Sequence, residues 1–181
     1  ENQKSLVDVD FVHLHNHTHY SLLDGLQKVP DMLDWVGELG QTAVAITDHG
    51  TLSGAIEFYK EAKKRDIKPI IGMEAYVAPR RHTDKSTSED RSPYHLTLLS
   101  QNETGYTNLM SLSTIANLEG FYYKPRIDRE LIAKYHEGII ALSGCIGGEV
   151  GSHLLADNYE EAKKTAQWYV KTFGKNNYFL E

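Results

Sequence analysis

Thr42-Ala43-Val44-Ala45-Ile46-Thr47-Asp48-His49-Gly50 is a short apolar run that ends in a carboxylate, an imidazole and a glycine. The run is too short for a helix and suits a buried strand, and Asp-His-Gly has the chemistry of a turn. The same order of events recurs on either side. Phe11 to His15 reads as a strand followed by Asn16-His17, and Lys68 to Val77 as a strand with Glu74 inside it and Pro69 near its start, where a missing donor is tolerated. His95 to Leu99 and Gly138 to Leu142 read as strands, the latter running into Ser143-Gly144-Cys145, and Tyr178 to Leu180 begins a last one.

Helical patterns fill the intervals. They cover Pro30 to Leu39, closed by Gly40, then about Leu52 to Lys64 and Thr104 to Asn117. A short helix capped by Asp128 reaches His136, and Tyr159 to Phe173 is closed by Gly174. Pro79 to Pro93 is charged and almost free of apolar residues, which predicts an exposed, mobile loop.

Strands alternating with helices build either an open doubly wound sheet or a barrel. The polar residues decide between them. His15, His17, Asp48, His49, Glu74 and Cys145 fall at or just past the C-terminal ends of different strands, which is where a β/α barrel assembles its active site. An open sheet concentrates such residues at one switch point. The expected fold class is therefore α/β, a distorted barrel of about six βα units.

At 181 residues the chain suits one domain, 1–181, and its 40% hydrophobic content can bury a substantial core. Glu1 to Asp10 is polar and acidic, unlike a secretory signal, and no segment approaches the roughly 20 apolar residues of a membrane span. A cytoplasmic protein without a membrane partner is expected. The formal charge of −6 argues against a protein whose whole surface grips nucleic acid. It does not exclude an anionic substrate, because three divalent ions would bring a formal charge of about +6 to an acidic pocket.

Nine histidines are the unusual feature of the composition. In His15-Asn16-His17, residues i and i+2 of an extended chain point to one side, so both imidazoles can grip one ion; strand-end histidines also serve as hydrogen-bonded caps. His13, on the same face, reads as a donor behind the ligands or a packed residue, and Thr18 orients a ligand or caps a turn. Asp48-His49 places a carboxylate and an imidazole at the barrel mouth, or forms a polar turn. Glu74 is harder to treat as structural: an unpaired charge in Ile71-Gly72-Met73-Glu74-Ala75-Tyr76 would cost several kcal/mol, and a cation is the simplest partner. His95 is a ligand or an ordinary half-buried histidine, Asp24 a ligand or part of an Asp-Gly turn, and Cys145 a ligand or an inert core thiol. Together they make a donor set of imidazole, carboxylate and thiolate, which favours Zn, with Mn or Fe as alternatives, over an all-oxygen magnesium or calcium site. Such clusters hydrolyse phosphate esters by activating a water and neutralising the leaving oxygen.

Phe11 to Gly25 (FVHLHNHTHYSLLDG), Ala45 to Gly50 (AITDHG), Ile67 to Ala78 (IKPIIGMEAYVA), His95 to Leu99 (HLTLL) and Ala141 to Cys145 (ALSGC) resemble the polymerase and histidinol phosphatase (PHP) domain. The resemblance runs from about Phe11 to Glu181. Gly105 to Leu109 (GYTNL), and Glu119-Gly120-Phe121-Tyr122 through Pro125-Arg126-Ile127-Asp128, narrow it to the PHP domains of bacterial replicative DNA polymerase III alpha subunits. The resemblance implies a distorted (β/α)7-type barrel with about two to three metal ions. His15, His17, Asp24, His49, Glu74, His95 and Cys145 would be ligands and Glu74 a bridge; His15, His17, Asp48, His49 and Glu74 would carry catalysis, Asp48 by orienting His49 or the water. The implied activity is a metal-dependent 3′-5′ exonuclease acting on the primer 3′ end of DNA, with the remaining polymerase domains and other replisome subunits as partners. A metal-stabilised scaffold without catalysis and a free phosphomonoesterase of the histidinol-phosphatase type are the other readings. The family's last two ligands, from an Asn-Asp-x-His motif, would lie beyond Glu181. The resemblance thus implies a fragment of a longer subunit, with the barrel short of a wall, the third ion weakly held or absent, and activity open.

Overall fold

The computed structural model describes residues 11–22 and 24–181. Along β2 (Lys68–Val77) alternate side chains face opposite ways, and the two faces meet different surroundings. Met73, Ala75 and Val77 enter the larger core with Leu96 and Leu98 of β3 (Tyr94–Ser100) and Ile139 and Ala141 of β5 (Ile139–Leu142). That core is covered by α3 (Glu103–Leu118), α4 (Arg129–Lys134) and α6 (Tyr159–Phe173). A second core joins Val44 and Ile46 of β1 (Ala43–Ile46) to α1 (Val29–Glu38) and α2 (Ala55–Lys64). In α1, Val29, Met32, Leu33 and Val36 are the buried residues, the i, i+3, i+4, i+7 stripe of a helix packed on a sheet. The opposite face of the sheet carries Ala45, Leu99 and Leu142 with Ile70 and Ile140 beside them. It lines a cavity of about 970 Å³.

The strand order is β1-β2-β3-β5-β6, with β6 at Tyr178–Phe179, and the short β4 (Arg126–Ile127) also pairs with β2. Because β3 occupies one side of Tyr76 and Val77, β4 takes the other, beyond β1 on the same edge of β2. Among the described residues the sheet does not close: β1 and β6 stand at its two ends, in keeping with a distorted α/β barrel. A uniform β/α rhythm would make all neighbours parallel, and β3 departs from it by running antiparallel to both β2 and β5. The connection from β2 to β3 contains only a 3-10 turn at Glu89–Arg91, and a return without a crossover helix favours antiparallel pairing.

The strand expected at Phe11 to His15 is not regular. His13 O and Asn16 O accept from Ala45 N and Thr47 N, both at 2.8 Å, but the Asn16 amide turns to the Thr47 hydroxyl at 3.0 Å, which breaks the ladder. The segment is an irregular extended edge beside β1. The helix α5 (Glu149–Leu155) and β4 were not expected, and both are too short to show a period.

The Pro79 to Pro93 loop is exposed along most of its length, as expected, but it is anchored rather than free. Arg126 is fully buried and donates to His82 O and Asp84 O at 2.8 Å and to Asp90 O at 2.9 Å, and its Nε reaches Gly120 O at 3.0 Å. Asp90, also buried, accepts from Arg80 and from the Ser86 and Thr87 amides. Composition describes side chains, whereas this loop is held mainly through its carbonyls.

Candidate metal centre

Glu74 lies on the inner face of β2, where the sheet gives it no apolar escape, and its side chain is 1% exposed. Its main chain is tied to the turn after β1: Glu74 N donates to Asp48 O at 3.2 Å, and Glu74 O accepts from Gly50 N at 2.9 Å. Gly50 adopts φ +64°, and a Cβ there would lie 2.6 Å from the Pro125 ring, so both the turn and the close approach require glycine. This turn sets His49 directly beside Glu74. The reversal of β3 pairs its first turn of residues with the end of β2, Tyr76 opposite His95, so His95 arrives at the same rim from a strand start. Gly72 lets the Leu98 carbonyl approach to within 2.5 Å of where a Cβ would stand, which keeps β2 and β3 close below the site.

Four imidazoles converge on the Glu74 carboxylate. His49 Nδ1 is 2.5 Å and His95 Nδ1 2.9 Å from it, His15 Nε2 3.4 Å and His17 Nε2 3.5 Å. His17 stacks on His49 with centroids 4.0 Å apart. Asp24 Oδ2 reaches His49 Nε2 at 2.9 Å, and Cys145 Sγ lies 3.8 Å from His95 Nδ1. The donor atoms form two groups, His15-His17-Glu74 and Glu74-His95-Cys145, each spanning no more than 4.8 Å and sharing Glu74.

These residues fit divalent metal. His15 Nε2, His49 Nδ1 and Glu74 Oε2 are buried without a hydrogen bond, and the short His49–Glu74 contact lacks hydrogen-bond angles, so it is a contact of charge rather than of a directed proton. Buried polar atoms left in this way, all aimed at one point, are the arrangement a shared cation satisfies.

The electrostatics agree. Burial disfavours a charged His15, but the hydrogen bond to Glu181 and contact with Glu74 outweigh it and push its pKa up to about 10. Burial also works against the Glu74 charge, and the His15, His49 and His95 contacts overcome it and hold the carboxyl well below its usual range. Burial and the neighbouring His49 lower His17, while contact with Glu74 raises His49. Without metal the cluster is thus a carboxylate compensated by protons on imidazoles, and a bound metal ion would replace those protons.

A family model described as the PHP domain matches residues 13–181. The chain is a member of the PHP domain family. It is 49% identical to the DNA polymerase III subunit alpha of Borreliella burgdorferi over 94% of its own length and 15% of that protein's. The corresponding figures for the subunit of the same name from Deinococcus radiodurans are 48%, 94% and 13%. An amidohydrolase from Chromobacterium violaceum, solved with bound sulfate and no metal, has a TM-score of 0.40 at 20% identity, over 92% of this chain and 51% of that one.

Of the residues that the PHP resemblance assigns to metal, His15, His17, Glu74, His95 and Cys145 contribute the two donor groups, while His49 and Asp24 stand beside them. Asp48 is set apart: its buried carboxylate accepts from Thr18 N at 2.6 Å, Thr18 Oγ1 at 2.9 Å and Ser21 Oγ at 2.7 Å. It therefore fixes the loop carrying His17, and it acts on His49 only through Ser21, whose hydroxyl accepts from the His49 amide at 3.1 Å. His13 is exposed and packs edge-on against Phe11, outside the cluster. Glu181 escaped the sequence reading. Its carboxylate contacts His15 Nδ1 at 2.6 Å, and its amide donates to Ser143 Oγ at 2.9 Å. The signal was available, because Glu181 follows the apolar Tyr178-Phe179-Leu180 as Asp48 follows β1.

Proposed function

We propose that this PHP chain is the metal-dependent phosphodiesterase domain of a bacterial DNA polymerase III alpha subunit, acting as a 3′-5′ exonuclease on the primer end of DNA in the cytoplasm. The carrying observation is the single buried carboxylate of Glu74 shared between two groups of metal donors. The names of the two bacterial relatives support the assignment to the polymerase, and the share of their length that this chain spans supports a domain that works beside other polymerase domains and replisome subunits.

In this reading His15, His17 and Glu74 would hold one ion and Glu74, His95 and Cys145 a second, with Asp24 and His49 completing the set. The mixed donors favour zinc, with Mn or Fe decided by metal analysis. Metal held there would supply an activated water and neutralise charge on the phosphate. The protein's own part is orientation. Glu181 on Nδ1 of His15 leaves Nε2 facing Glu74, and Asp48, through Thr18 and Ser21, holds the turn that presents His17.

The test is to incubate metal-loaded protein with a 3′-labelled primer and, separately, with small phosphate monoesters. Stepwise shortening of the primer is expected. Turnover of monoesters alone would instead identify a phosphomonoesterase, and turnover of neither, with metal bound and thermal stability raised, a scaffold.

A further inference from the structure

The segment Gly120-Phe121-Tyr122-Tyr123-Lys124-Pro125 contributes no metal donor, yet the fold brings it to the rim of the cluster. Arg126 pairs with Tyr76 in parallel register, on the β2 edge where His49 bridges to Glu74. Lys124, two residues before Arg126, reaches the same edge, with its ammonium over the Tyr76 ring. Pro125 fixes the position by packing against Gly50, the turn residue next to His49.

The turn itself is tightly drawn. Tyr122 N donates to Lys124 O at 3.0 Å, and Tyr123 between them is held at φ +61°, a conformation that a bulky side chain adopts only under constraint. The constraint does not serve core packing, since Tyr123 is 63% and Phe121 52% exposed. Two cations frame the rings: Arg91 lies 5.4 Å from the Tyr123 centroid and Lys124 5.2 Å from that of Tyr76, which in turn stacks on His49. Neither Arg91 nor Lys124 joins any ion pair among the described residues, whereas Arg80, in the same loop as Arg91, is paired with Asp84 and Asp90. Exposed rings interleaved with unpaired cations match the two parts of a nucleic-acid strand, stacked bases and an anionic backbone.

We propose that this turn, with Arg91, is a docking surface for single-stranded nucleic acid leading to the metal cluster. Lys124 receives a backbone phosphate, and Tyr123 and Phe121 receive bases. The inference rests on the phosphodiesterase reading and adds the side from which the strand arrives, across the His49 edge.

The test is fluorescence anisotropy of a labelled oligo-dT with the full chain in EDTA, where no hydrolysis intervenes, over a range of salt. Lys124→Gln and Tyr123→Asn are compared with the parent protein; asparagine tolerates the left-handed backbone while removing the ring. Each variant is expected to bind about tenfold more weakly. Lys124→Gln should also flatten the slope of log affinity against log salt by about 0.7, the value for one phosphate contact on a single strand. Metal content and melting temperature should stay as in the parent. The inference is overturned if the parent does not bind the oligonucleotide, if Lys124→Gln binds with unchanged affinity and salt slope, or if polyglutamate competes as well as DNA. Should the primer remain uncut while the variants still bind weakly, the exonuclease reading fails and this surface stands. Primer shortening with an unchanged KM in Lys124→Gln sinks the surface and leaves the exonuclease.

Discussion

Glu74 is the residue on which the centre turns, because no other side chain belongs to both donor groups. Glu74→Ala should lower bound metal by about one ion or more per chain and remove the thermal stabilisation that metal gives, as read by elemental analysis and melting with and without EDTA. Unchanged metal content would refute the shared role. Glu181 acts one step behind, through His15. Glu181→Gln should weaken metal affinity by about 10- to 100-fold in a competition titration, with Glu181→Asp recovering part of it. The titration of His15 adds a dependence on pH that belongs to the metal-free protein. Its pKa rises from 6.5 to about 10 on folding, so its contribution is complete below 6.5 and lost as pH climbs through about 10. The melting temperature of EDTA-treated protein should therefore fall across that window, and His15→Gln should flatten the fall. Much of this was legible beforehand, since a charge inside Ile71-Gly72-Met73-Glu74-Ala75 demands a partner. The place of Asp48 was not, because a turn carboxylate can face either the metal or the backbone behind it, and only the positions of Thr18 and Ser21 decide.

Among the elements, the β2–β3 connection departs most from what its composition suggested, and its anchor lies elsewhere in the chain. Arg126→Leu leaves the His82, Asp84, Asp90 and Gly120 carbonyls without their donor, and a loss of about 3 kcal/mol in chemical denaturation is expected, together with faster proteolysis between residues 79 and 93. Asp128 does two tasks at one helix start. It caps α4 by accepting from Leu131 N at 2.9 Å, and its other oxygen takes the His82 amide and ring. Asp128→Ala should cost about 1–2 kcal/mol, and a change under about half of the lower figure would show that the cap is replaceable. The cap could be read from Asp128 followed by a helical pattern. The link to His82 could not, since 46 residues separate the two.

At the scale of the molecule, the donors come from segments distant in sequence, the Asn16 region, the middle of β2, the start of β3 and the turn after β5, with His49 beside them after β1. Any ion bound there ties these segments together, so metal at about 1,000 times its Kd should stabilise the fold by about 4 kcal/mol, measurable as a concentration-dependent rise in melting temperature. The barrel class was recoverable from the sequence because polar residues recur at strand ends, which is a local pattern. Strand direction is not local, and the reading that put His95 at the opening of its strand had no means of knowing that the strand runs backwards. That reversal has a further consequence. A link between parallel neighbours must travel the full height of the sheet beneath a helix, whereas this link starts and finishes at the mouth, like an awning fixed above a doorway. Residues of this link other than the His82, Asp84 and Asp90 anchors can be exchanged or lengthened without disturbing the wall behind, so variation among relatives in what passes through that doorway should concentrate between those anchors and spare the helices.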